Sequence, residues 1–86
     1  MSQLQRDVVP EQWLMFDQHR RIAVIRIVEI RSVRRKLIRS VTYHPDPEQR
    51  QLIGYFPNDS AGLRLAAAVT WAAYVRVTGP PRTNRR

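Results

Sequence analysis

Cysteine is absent from this chain of 86 residues, so neither a disulfide staple nor a thiolate metal site can supplement its core. That absence also fits a reducing compartment. Acidic side chains are scarce: seven Asp and Glu stand against fifteen Lys and Arg, a formal net charge of +8. Lysine is nearly missing too, with Lys36 alone beside fourteen arginines. Glycine is confined to Gly54, Gly62 and Gly79, too scattered for a loop that cradles phosphate. Histidine occurs only at positions 19 and 44, and neither has neighbours at the spacing of metal ligands. The serines lie outside any nucleophile-elbow context. These gaps predict a protein that is not an enzyme and that carries no cofactor or metal. A long apolar run is lacking as well. The best candidate is Leu63–Val77, where eleven residues separate Arg64 from Arg76, against about 20 needed to span a bilayer. Met1–Gln12 has no positively charged start followed by an apolar core, so it does not read as a secretory signal. No membrane partner and a cytoplasmic location are the expectations.

What is present is concentrated in Arg20–Tyr43. That stretch holds eight basic residues against one acid, Glu29, interleaved with β-branched and aliphatic side chains. Arginine offers a planar fork suited to phosphate and carboxylate, so an anionic partner is favoured: nucleic acid or an acidic protein. β-Branched enrichment argues for strands here. From Ile27 onward the apolar spacing also fits one face of a basic amphipathic helix. No start signal precedes Arg20 except Asp17, and Ile22, Val24 and Ile25 would surround such a helix, so the strand reading is preferred.

Taken in order, residues 1–9 read as a flexible arm, 10–78 as a single domain and 79–86 as a disordered basic tail. Gln12–Phe16 is expected to be a strand and Asp17–Arg20 a turn. Two further strands follow, Arg21–Val33 and Leu37–Tyr43, joined through Ser32–Lys36, which has no Gly, Pro or Asn to signal a turn. Pro45 and Pro47 then forbid continuation of regular structure. Gln51–Phe56 resumes as a strand, completing the best-signalled hairpin. Asn58 or Asp59 can cap a helix that runs to about Val77 and ends at Gly79-Pro80-Pro81. The fold class is therefore α+β: an antiparallel meander of three to four strands followed by one packed helix.

On a helical wheel Leu65, Ala66, Val69, Ala73 and Val77 share one face, assigned to the sheet. The other face carries Arg64, Ala67, Ala68, Trp71 and Val75 and is also apolar. Either the segment with Trp13 and Phe16 folds over it, or it is a partner surface, with Ala68, Trp71 and Val75 as a homodimer interface.

The candidate nucleic-acid contacts are Arg31, Arg34, Arg35, Lys36 and Arg39, since a two-stranded ribbon can enter the major groove and arginine pairs bidentately with guanine. The order strand, strand, proline-rich loop, Leu52-Ile53-Gly54-Tyr55-Phe56 and the alanine-rich Ala61–Tyr74 helix resembles the DNA-binding domain of plant ethylene-response factors and the related arm-binding domains of phage-type recombinases. The likeness covers roughly Arg31–Tyr74. It implies DNA contacts from sheet arginines, of which Arg34, Arg35 and Arg39 map. It departs from that pattern in lacking tryptophan on these strands and in having Ser32 where glycine is common. The expected function is a small basic nucleic-acid-binding protein of accessory or regulatory type. The alternative is a protein-binding module or inhibitor that captures an acidic partner.

Overall fold

The computed structural model describes residues 2–78, so the expected tail at 79–86 lies outside the described residues. Five antiparallel strands form one meander: β1 Ser2–Arg6, β2 Gln12–Asp17, β3 Arg20–Ile30, β4 Arg35–Thr42 and β5 Leu52–Pro57, in the spatial order β1-β2-β3-β4-β5. One helix, α1 Ser60–Thr78, follows and packs on one face. The α+β meander with a packed C-terminal helix is as expected. The fifth strand is β1, whose residues were expected to be a loose arm. They instead pair along β2 from Ser2↔Asp17 to Arg6↔Trp13. A mostly polar segment with no periodicity hides an edge strand, which is held by the ladder to β2 while Leu4 packs on the core.

Alternation along each strand separates two faces. Trp13 and Met15 of β2, Ala23, Ile25 and Ile27 of β3, Ile38 of β4 and Phe56 of β5 meet the helix residues Leu63, Ala66, Ala67, Trp71 and Tyr74 in one core. A bulge helps. Met15 pairs with Ala23 and Phe16 with Arg21, leaving Ile22 as the extra residue, so that Ile22 and Ala23 both enter the core. Two polar links cross from helix to sheet: the buried Ser40 and Thr70 hydroxyls lie 2.6 Å apart, and Tyr74 Oη donates to Asp17 Oδ2 at 2.7 Å.

The hairpin turns include the one expected at Asp17–Arg20 and the poorly signalled one between β3 and β4. Their left-handed positions are filled by Glu11 (φ 57°), Gln18 (φ 57°) and Arg34 (φ 52°), not by Gly or Asn. The β3–β4 turn is correspondingly Arg31–Arg34, closed by Val33 N–H and Arg34 N–H donating to the Ile30 and Arg31 carbonyls, each at 3.3 Å.

Asp59 caps α1, its carboxylate accepting from Gly62 N–H at 2.6 Å while its carbonyl accepts from Leu63 N–H at 2.9 Å. Glycine is required at 62: a Cβ there would sit 1.8 Å from the Pro57 carbonyl oxygen. The wheel assignment of the helix needs correcting. Leu65 is 51% and Val69 37% exposed, whereas Trp71 and Tyr74 face the sheet. In a helix apolar nearly all round, the number of aliphatic residues per side does not choose the buried one. Volume and close approach do: the two large rings fill the space over β2 and β3, and Gly62 and fully buried Ala66 let the backbone come close. Among the described residues, no helix is long and apolar enough to cross a membrane.

Candidate nucleic-acid interface

Strand lengths in this meander are unequal, and the difference builds a projection. β2 pairs with β3 only as far as Gln12↔Arg26, and β5 pairs with β4 only as far as Leu37↔Pro57. Beyond those points Glu29↔Lys36 and Ile30↔Arg35 pair with each other alone. The end of the β3–β4 hairpin is therefore a two-stranded ribbon standing clear of the sheet and of the helix, which starts only after Pro57. Two residues past the last shared rung give a reach of about 7 Å, before the Arg31–Arg34 turn adds its own length. The ribbon contributes to an elongated molecule, 49 × 24 × 22 Å.

The five residues singled out in the sequence divide by position. Arg31 and Arg34 lie in the turn, and Arg35 and Lys36 on opposite faces of the ribbon, all four exposed. Arg39 lies at the ribbon's base on the sheet face that α1 leaves open, and is half-buried. The tip also exposes Val33 (57%). Its one acid is Glu29, directly across from Lys36.

The open face continues this basic surface. Register aligns Gln12, Arg26, Arg39 and Tyr55 in one row across β2 to β5. Two guanidinium side chains thus stand directly opposite each other on the central strands, an arrangement that costs stability. Among the described residues, Arg39 Nε is buried with no hydrogen-bond partner. The next row pairs Val24 with Val41, only 4% and 7% exposed although no helix covers them. Leu14 and Leu52 flank them in that row, and the aliphatic stems of Arg26 and Arg39 lie beside it. No strand residue on this face is acidic. At the far end of the sheet Tyr43 sits between two more guanidinium groups, Arg21 at 5.7 Å and Arg50 at 5.0 Å from its ring centre.

Arg26 was not among the candidates. Arg26, Arg35 and Arg39 are separated so as to fall on one face of a hairpin, but that is legible only once the rung Arg26↔Arg39 is known. Among the described residues, no group of three or more His, Asp or Glu is placed to hold a metal ion. The proposed dimer residues do not form the centre of an outward face. Trp71 packs on the core and against Tyr74, with ring centres 5.3 Å apart. Val75 is half-buried at the border and Ala68 is exposed.

No protein-family model, curated protein or solved structure matches the chain.

Proposed function

We propose that this chain is a small nucleic-acid-binding protein of accessory or regulatory type, with the β3–β4 ribbon as its reading element. The observation that carries the proposal is the projecting ribbon, whose exposed tip holds Arg31, Arg34, Arg35 and Lys36 against the single acid Glu29. A two-stranded ribbon fits a major groove, whose depth of about 8.5 Å is comparable to the ribbon's reach. Arginines at the tip have the fork geometry for guanine edges. Arg26 and Arg39, at the base, are placed to meet backbone phosphates, whose charge relieves the opposition of two like charges on adjacent strands. The left-handed backbone at Arg34 is consistent with a functional tip, since strain of this kind gathers at binding sites, although two other turns share it.

The test is binding of labelled duplex and single-stranded oligonucleotides across a salt series. With three to five side chains engaged on duplex DNA, the log–log slope is expected at roughly −3 to −5. The double substitution Arg31→Glu, Arg35→Glu should remove binding with little change in melting, because exposed charges contribute little to stability. Affinity no tighter than about 10⁻⁴ M at low salt would refute the reading.

A second reading rests on a different surface. Leu65 and Val69 are exposed on α1, so the chain can also be read as a protein-binding module for an acidic partner, or as a homodimer. Retention of one stoichiometric protein after nuclease treatment of a lysate would favour it. Loss of all bound material with the nuclease counts against it.

A further inference from the structure

A half-open cleft of about 580 Å³ lies at the end of the molecule away from the ribbon, between the last turns of α1 and the β4–β5 end of the sheet. Its origin is visible in the packing. Trp71 and Tyr74 lean toward β2 and β3, where Trp13 and Asp17 receive them. Toward the cleft the helix presents Val69, Thr70, Ala73, one side of Tyr74 and Arg76, and these do not fill the gap. The walls are mainly apolar, with Ile22, Ile53, Val69 and Ala73 among them. The rim carries Arg20, Arg21 and Arg76, and no aspartate or glutamate lines the cleft among the described residues.

We infer that this cleft binds a small amphipathic anion, an apolar body with one carboxylate, sulfonate or phosphate headgroup. Its volume lies within the range of about 300–1,000 Å³ typical of small-molecule sites. The apolar body replaces water against Ile53, Val69 and Ala73, while the headgroup meets the three guanidinium groups at the rim. Charge selects the occupant. Three guanidinium groups stand at the opening against one neighbouring carboxylate, Asp17, which is engaged by Tyr74 Oη, so a cation is disfavoured and a neutral apolar molecule is left without headgroup contacts. The chain's own last residues, 79–86, carry three arginines and no acid, a charge of the same sign as the rim. The inference concerns a different surface from the ribbon and stands independently of the nucleic-acid reading.

The probe is 8-anilinonaphthalene-1-sulfonate, titrated into the full chain at neutral pH and followed by its fluorescence, with decanoate as competitor and decanol and N-phenyl-1-naphthylamine as uncharged controls. Saturable binding at one site, displaced by decanoate and not by decanol, is the expected result. Arg76→Gln and Arg21→Gln should each weaken it by about tenfold, the worth of one hydrogen bond to a charged group. Ala73→Leu, which fills the cleft, should abolish binding while circular dichroism retains the native spectrum. Val69→Phe provides the same obstruction from a partly exposed position if Ala73→Leu does not fold. The ribbon variant Arg31→Glu, Arg35→Glu should bind the dye unchanged, which separates this site from the nucleic-acid surface. The inference is overturned by any of three results: no saturable binding, equal binding of the uncharged analogue, or undiminished binding to a folded cleft-filling variant.

Discussion

Replacing Arg39 by methionine should make the protein more stable and a weaker binder, and the size of both effects can be worked from the register. Arg39 stands directly across from Arg26 on the neighbouring strand, and like charges so placed cost roughly 0.2–1 kcal/mol. Its Nε is covered and has no partner among the described residues. A fully unsatisfied buried donor costs about 1–3 kcal/mol. The rest of the half-buried guanidinium still reaches water, so about 1 kcal/mol is the appropriate share here. Methionine keeps an unbranched stem over Val24 and Val41 while removing both penalties. The sum is a gain of about 1.5 kcal/mol, which for a domain of this size raises the melting temperature by roughly 6–12 °C. Arg26→Met is the control: Arg26 is exposed, so only the repulsion is relieved and the shift should be well under half as large. Thermal unfolding by circular dichroism measures both. Oligonucleotide binding by Arg39→Met should lose about 0.9 from its log–log salt slope, the equivalent of one phosphate. A melting temperature for Arg39→Met at or below that of the unsubstituted chain would show that the Arg26–Arg39 rung is not a stability cost. The argument that the face is held ready for an anion would fall with it.

Gly62→Ala tests the helix start, and two effects of opposite sign compete there. Helix propensity favours alanine by about 1 kcal/mol, but displacing the Pro57 carbonyl and loosening the Asp59 cap costs about 2–4 kcal/mol, so the variant should melt lower; a rise in melting temperature would refute the close approach. Thr70→Val should destabilise by about 1–3 kcal/mol because the Ser40 hydroxyl is left buried and alone, and adding Ser40→Ala should recover part of that loss in a double-mutant cycle. Trp71→Ala should cost about 3 kcal/mol, the low end for an aromatic that is only half-buried, without changing the sedimentation mass. A change of mass instead would point to an oligomer held through that ring.

Local chemistry in the sequence was enough for much of the architecture. The β-branched segments Ile22–Ile30 and Leu37–Val41 are strand because branched side chains suit a pleated surface, and the prolines at 45 and 47 can belong only to a connection. Asp59 followed by an alanine-rich segment announces a capped helix, and the excess of arginine over acid announces a strongly basic chain. Four further features depend on pairing between distant residues. β1 is a strand because β2 offers it a ladder, and the turns are turns although Glu11, Gln18 and Arg34 fill positions that usually take glycine. α1 buries Trp71 and Tyr74 and leaves Leu65 exposed because the sheet, and not the helix's own wheel, decides which side is filled. The proposed binding surface is the clearest case. Fourteen arginines were countable from the start, but a projecting ribbon exists only because β2 and β5 stop pairing near Arg26 and Leu37. Arg26 meets Arg39 only through one register, and a slip of a single residue would turn each of them to the opposite face.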